Sequence, residues 1–233
     1  MAGKLLLLPN LLGESLDPHL FFSPAVQAAV HCLDGLIAES EKEGRRYLRQ
    51  FLPREEMVKR SLALLHEHTD PKELSTLLLP IEKGETWGLI SDAGLPCIAD
   101  PGADLVMLAH QRGVAVESCG GTSSQFLALQ LSGFCGQRFA FHGYLPREEK
   151  ELQLKLKQLE QQCKGMTQIW MEAPYRTAKM VEAVCALLAP TTFFCVAAEL
   201  MTLKQRVISQ PIAKWRQKTY SFGKEPAIFL IYQ

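Results

Sequence analysis

The stretch Trp87-Gly-Leu-Ile-Ser-Asp-Ala-Gly-Leu-Pro-Cys-Ile-Ala-Asp-Pro-Gly102 decides how this chain is read. Its first part, Trp87–Ser91, predicts a buried strand, and the chain then turns through Asp92, Gly94, Pro96, Asp100, Pro101 and Gly102. Loops at the carboxyl ends of strands in open α/β sheets are where ligands bind. Glycines let a backbone come close to a ligand, and prolines hold a loop in shape before binding. A rigid structural turn has the same composition, so the surroundings have to arbitrate.

Outward from this loop, short apolar runs alternate with amphipathic segments. Further strands are predicted at Lys4–Leu8, Gly35–Ala38, Val114–Ser118, Arg138–His142, Thr167–Met171, Thr192–Ala197, Gln205–Gln210 and Ala227–Tyr232. Helix starts are written at Ser23-Pro24, before Ala25–Leu33, and at Asp70-Pro71, each a capping residue followed by proline. Ala103–Gln111 predicts a helix closed by Gly113, and Gln125–Leu131 an apolar one. Glu148–Gln162 predicts a solvated helix and Tyr175–Leu188 an amphipathic one. This rhythm implies α/β layers, with closely spaced strands in the last third giving that part a mixed, partly antiparallel sheet. Two α/β lobes, residues 1–118 and 119–233, fit the length.

Composition bounds the function. Twenty-five Lys+Arg balance 25 Asp+Glu across 233 residues, which argues against a tail-type or non-specific nucleic-acid binder. The basic residues are uneven, however: from Met201 onward Lys204, Arg206, Lys214, Arg216, Lys218 and Lys224 face a single acid, Glu225. No apolar run is long enough for a bilayer span, and Leu5–Leu8 is too short for a signal-peptide core. Seven scattered cysteines without a CxxC pair predict reduced thiols in a cytoplasmic protein with no membrane association.

The segments with chemistry in them are few. Gly120-Gly-Thr-Ser-Ser124 precedes a helix and reads either as an anion cradle or as ordinary capping. His66-Glu67-His68, read as strand, puts two histidines on one face without a third ligand, so no metal is expected. Met171-Glu-Ala-Pro-Tyr-Arg176 sets a carboxylate, a phenol and a guanidinium at a strand end. No GxGxxG follows the first strand, and GxxxxGK[ST], HExxH and GxSxG are all missing, which removes the main support for the commonest dinucleotide, P-loop, zinc-protease and esterase readings.

In this order the segments resemble the tetrapyrrole methylase superfamily, the class III S-adenosylmethionine-dependent methyltransferases, and within it the bacterial branch that methylates a ribose 2′-hydroxyl of 16S ribosomal RNA. The branch's SDAGTPLISDPG is Ser91–Gly102 here, with Leu95, Cys97 and Ala99 substituted. Its HEHN is His66–Thr69, its PGPSA turn Gly120–Ser124, and its F-x-G-[FY]-L-P-R Phe141–Arg147. Its YESPHR is Met171–Arg176, with Tyr175 for the histidine, and its AREL is Ala197–Leu200, with Ala198 for the arginine. Its CEDTR has become Glu39-Ser-Glu-Lys-Glu43, retaining Glu41 in register. A closing strand runs through Gly223–Phe229, so the likeness extends from about residue 4 to the C-terminus.

The resemblance implies two αβα lobes in a homodimer, with S-adenosylmethionine in the cleft between the lobes. Pro9, Asp92, Leu95, Ser123, Ser124, Met171, Ala197 and Ala227 match cofactor-contacting positions. A ribose hydroxyl must lose its proton during attack, which makes Glu172, Glu41 and Glu199 the candidates for general base, Glu172 first. Arg46, Arg147 and Arg176 would hold phosphates of ribosomal RNA or of the small ribosomal subunit. The alternatives are a small acceptor such as a tetrapyrrole, a cofactor-binding paralogue without turnover, and an unrelated nucleotide-binding α/β protein. The altered CEDTR, histidine and arginine positions motivate the second of these.

Overall fold

The computed structural model describes residues 3–13 and 21–233. They form two compact units, Met1–Thr122 and Ser123–Gln233. Among the described residues no helix is long and apolar enough to cross a membrane.

The first unit is an open parallel sheet with helices against it. Its strands are β1 (Lys4–Leu7), β2 (Gly35–Ala38), β3 (Ser61–Leu64), β4 (Thr86–Leu89) and β5 (Ala115–Ser118), in the order β3-β2-β4-β1-β5. Every pairing is parallel. Strands of such a sheet are covered on both faces and read as continuous apolar runs. Gly35–Ala38 is buried at all four positions, and two apolar clusters, one around Leu36 and Tyr47 and one around Ile37 and Trp87, hold neighbouring side chains of β2. The helices follow their start signals. In α1 (Pro24–His31) the Ser23 side chain accepts from the Val26 amide, and in α4 (Pro71–Glu82) Asp70 accepts from Lys72. Helices α2 (Glu41–Leu48) and α3 (Arg54–Met57) lie between β2 and β3, and α5 (Ala103–Gln111) ends just before Gly113, whose φ is 71°.

The order of the strands matters for function. From β1 the chain crosses to β2 on one side, whereas from β4 it crosses to β5 on the other. The adjacent pair β1/β4 is therefore the topological switch point, where diverging connections leave a crevice at the carboxyl ends.

Three expectations are corrected here. Strand β3 went unpredicted because Ser61–Leu64 is a short, half-exposed edge strand. His66-Glu67-His68 is not strand but the turn that follows it, with the His66 amide donating to Thr69 Oγ1 at 2.9 Å. The polar helix α7 (Glu149–Gln162) is solvated on one side only. Leu152, Leu156 and Leu159, spaced four and three residues apart, make a buried stripe.

The second unit is a mixed sheet of β6 (Phe139–Tyr144), β7 (Thr167–Glu172), β8 (Phe193–Ala198), β9 (Arg206–Pro211) and β10 (Ala227–Tyr232), ordered β6-β7-β10-β8-β9. Only β6/β7 is parallel; β8 and β9 form a hairpin, and β10 inserts antiparallel between β7 and β8. Its central place explains the unbroken apolar run of Ala227–Ile231. Trp170, Phe194 and Phe229 stack on one face of three neighbouring strands, in one cluster with the α7 leucines and with Met180 and Val184 of α8 (Thr177–Leu187). Helix α6 (Ser124–Ser132) opens this unit, and the short α9 (Ile212–Trp215) follows β9.

Candidate functional site

At the β1/β4 switch point two loops are tied together. The Asn10 amide donates to the Gly94 carbonyl at 2.7 Å, and Asn10 Nδ2 donates to the carbonyls of Ser91 (2.9 Å) and Asp92 (3.1 Å). One side chain after β1 thus holds the start of the long loop after β4. Inside that loop Ser91 is 1% exposed, and its hydroxyl donates to the Ala93 carbonyl. Cys97 and Ala99 take φ of 68° and 64°, a left-handed conformation that costs a side-chain-bearing residue energy and persists only where the surroundings impose it. The loop after β5 closes in as well. A Cβ on Gly121 would stand 2.1 Å from Pro9 Cβ and 3.2 Å from Leu95, so only glycine lets these three loops touch.

The loop cluster is acidic. Glu39, following β2, accepts from the Asp92 amide at 3.4 Å. Burial raises both carboxyls above their ordinary values, Glu39 being raised further by Asp92, and Asp92 by Glu43 against the opposing pull of Arg46. Burial also pushes Asp100 up to about 6, with a hydrogen bond from Ser91 pulling the other way and the Asp92 charge adding to it. Neighbouring carboxylates that resist ionisation are a setting in which a cationic group would be stabilised.

Beside the tied loops lies a cavity of about 560 Å³, formed by Asn10–Gly13, Asp92, Ala93 and one face of the α2 segment. That face presents Glu43, Arg46, Tyr47 and Gln50. The offsets of three, four and seven residues put all four on one side of a helix and the turn that ends it. Ser40 starts the helix by accepting from the Glu43 amide. Tyr47 is 1% exposed, its ring against Phe22 and Phe51, and burial raises its phenol well above the usual value. The Tyr47 hydroxyl and Gln50 Oε1 are buried with no hydrogen-bond partner among the described residues. Arg46, by contrast, is 65% exposed at its side chain and reaches Glu43 only at 3.5 Å.

The candidate residues of the second unit gather at one end of its sheet. Met171 and Ala197 both pair with Ile228, and Glu172 and Ala198 both pair with Ala227. Side chains alternate along a strand. Ala227 and Ala198 therefore point into the stacked-aromatic core, and Met171 and Ala197 to the opposite face. Ser123 precedes α6 but does not cap it through its side chain; its hydroxyl donates to Gln125 Oε1 instead. Glu172 is buried in an ion pair with Arg176, and Arg176 also reaches the carbonyls of Pro146 and Arg147. Burial raises the Glu172 carboxyl, against the pull of Arg176 and then of Arg147. Glu199 sits at φ 52° with its carboxylate 3.5 Å from the Thr202 hydroxyl and no cation against it among the described residues. Glu41 lies back in the first unit, paired with Arg45 at 2.8 Å. Two cations of the basic C-terminal stretch serve the fold: Arg206 binds Glu225 and the Ser221 carbonyl, and Arg216 the carbonyls of Cys185 and Leu188.

Sequence reasoning missed Asn10, Glu39, Tyr47, Gln50 and Asp100. The helical spacing of Glu43, Arg46, Tyr47 and Gln50 was readable in advance. The role of Asn10 was not, because its partners lie more than eighty residues away, at a separation of 81 for Ser91.

No family model matches the chain. Over 212 residues it is 26% identical to the ribosomal RNA small subunit methyltransferase I of Escherichia coli O157:H7, covering 91% of this chain and 70% of that protein. The protein of the same name from Xylella fastidiosa is 29% identical over 191 residues, 82% of this chain and 67% of the relative. Among solved structures, the methyltransferase CobJ superposes with a TM-score of 0.66 at 14% identity, covering 99% of this chain and 94% of the other, which speaks to the fold. With the switch-point loops in their order, one parallel sheet and one mixed sheet, the chain is similar in sequence and in fold to S-adenosylmethionine-dependent methyltransferases of the tetrapyrrole methylase superfamily.

Proposed function

We propose that this methyltransferase acts on a ribose 2′-hydroxyl of small-subunit ribosomal RNA. The observation that carries the reading is the polar cavity beside the tied switch-point loops, with exposed Arg46 on its wall, in a chain whose relatives are named small-subunit ribosomal RNA methyltransferases. S-adenosylmethionine supplies a methyl group already activated by its sulfonium charge. The residues present suit it: Glu39, Asp92 and Asp100 favour a cation, and the loop that carries Asp92 and Asp100 is held before any ligand arrives by Asn10 and by the Pro9–Gly121 contact. Pro9, Asp92, Leu95, Ser123, Ser124, Met171, Ala197 and Ala227 are its proposed contacts, Ala227 through backbone because its side chain is in the core. What the protein must add is orientation and a dry site.

The hydroxyl proton needs an acceptor. Of the three candidates, Glu172 is held by Arg176 and Glu41 by Arg45, so the role is assigned to Glu199, and the Glu172–Arg176 pair to positioning the Pro146–Arg147 segment. Arg46 and Arg147 are the proposed phosphate contacts; the Arg176 guanidinium is already engaged. We further propose a homodimer, supported by exposed Phe126, Leu131, Phe139 and Phe193 in the second unit, and a cytoplasmic location, supported by seven unpaired cysteines.

The test is titration calorimetry with S-adenosylmethionine and S-adenosylhomocysteine, followed by radiolabelled methyl transfer to small ribosomal subunits, naked 16S RNA and tetrapyrroles. Alkali-resistant label at a ribose supports the proposal. Label on a tetrapyrrole, or cofactor binding without transfer to any acceptor, overturns it.

A further inference from the structure

The Tyr47 hydroxyl and Gln50 Oε1 have no hydrogen-bonding role among the described residues, although the Tyr47 ring packs in the core. Both line the cavity beside the tied loops, and each carries a buried polar atom with no partner among the described residues. Leaving such an atom unmet costs on the order of 1–3 kcal/mol, so two together on one cavity wall call for a ligand that meets them. The volume of about 560 Å³ lies in the range of small-molecule sites. The remaining walls narrow the chemistry. Leu11 and Leu12 offer apolar surface to a flat ring, the phenol and the carboxamide offer hydrogen bonds to a ring edge, and Arg46 offers a cation at an exposed position. An apolar platform, an edge-reading amide and a nearby phosphate contact are the elements with which proteins recognise an unstacked nucleotide.

We infer that this cavity takes one nucleobase of the RNA acceptor, with Tyr47 and Gln50 reading its edge and Arg46 holding an adjoining phosphate. The inference rests on the RNA reading above and names the residues that choose the nucleotide. Both polar atoms are sealed from water in the free protein, so the base engages them with a side-chain adjustment of the size common on binding.

The experiment uses Tyr47→Phe, Gln50→Met and the double variant, which keep volume while removing the hydrogen-bonding groups. Four measurements are made on the full chain: urea denaturation without ligand, S-adenosylhomocysteine affinity, KM and kcat for transfer to small-subunit RNA, and binding of the four nucleoside monophosphates followed by NMR. Free Tyr47→Phe should be as stable as the parent or more so, because it loses only an unpartnered hydroxyl. Cofactor affinity should be unchanged, KM for RNA should rise about tenfold or more, and the preference among the four monophosphates should flatten in the double variant. Unchanged KM and unchanged nucleotide preference would overturn the inference, as would altered cofactor affinity, which would give the cavity to the cofactor. If the parent methylates no RNA, the functional reading fails separately. Monophosphate binding that the double variant loses would then still establish a nucleotide site, with free nucleotide as its source, and binding that it retains would eliminate one.

Discussion

The carboxamide of Asn10 donates to the Ser91 carbonyl at 2.9 Å, from the loop after β1 to the start of the loop after β4, eighty-one residues later in the chain. The same nitrogen reaches the Asp92 carbonyl, and the Asn10 backbone amide the Gly94 carbonyl. One residue thereby sets where the acidic loop begins. Asn10→Ala leaves two carbonyls unmet and should lower unfolding free energy by about 1–3 kcal/mol, with a parallel loss of S-adenosylhomocysteine affinity. Urea denaturation and calorimetry check both; a variant that binds cofactor normally would show that the tie does not shape the site.

Gly121 faces Pro9 with no room for a Cβ. Gly121→Ala must push the two loops apart and should reduce cofactor affinity at least tenfold, roughly 1.4 kcal/mol in binding. Gly136→Ala is the control, since a Cβ there meets nothing within 4 Å. Equal affinities for the two variants would contradict the three-loop contact.

The Glu172–Arg176 pair is buried on the Glu172 side, with Arg176 also tied to the Pro146 carbonyl. Removing one partner of a buried pair strands the other, at about 3–5 kcal/mol. Arg176→Met should therefore destabilise more than Glu172→Gln, which leaves a neutral amide able to bond the guanidinium. Chemical denaturation of both variants decides it, and the reverse order would show that the carboxylate is not paired in solution.

Asp100 titrates at about 6 in the fold against an ordinary value of 3.8. Between those values the folded protein binds more protons than the unfolded chain, so stability falls as pH rises through that window. Glu39 and Asp92 shift in the same direction. Asp100→Asn should have the higher urea midpoint at neutral pH, with the gain disappearing below pH about 4. A gain independent of pH would mean that the carboxyl is not raised.

Arg46→Ala should raise KM for RNA and lessen its salt dependence, without changing cofactor affinity. Glu199→Gln should instead lower kcat at unchanged cofactor affinity. Steady-state kinetics at two salt concentrations separates these effects, and full activity of Glu199→Gln removes it from the proton-acceptor role.

The elements were legible where local physics suffices. Ser23-Pro24 and Asp70-Pro71 start helices because a side-chain acceptor and a missing N–H solve the same end problem. Ala227–Ile231 reads as a central strand because burial on both faces demands an unbroken apolar run. Strand β3 was hidden because an edge strand of four half-exposed residues carries no such demand. The turn at His66–Thr69 was misread as strand because it is held by the Thr69 hydroxyl and not by alternation.

By itself, then, the sequence determined the α/β rhythm, the order of the loops and the methyltransferases they resemble. Each of these is a property of residues near one another in the chain. Only the tertiary structure decided which loops touch and which charged groups are spent. Asn10 found its partners in the loop after β4, Gly121 met Pro9 and Leu95, and Arg176 reached the Pro146 carbonyl thirty residues away. Hydrogen bonds and burial are satisfied in space, and the residues that satisfy them are neighbours there whatever their distance along the chain.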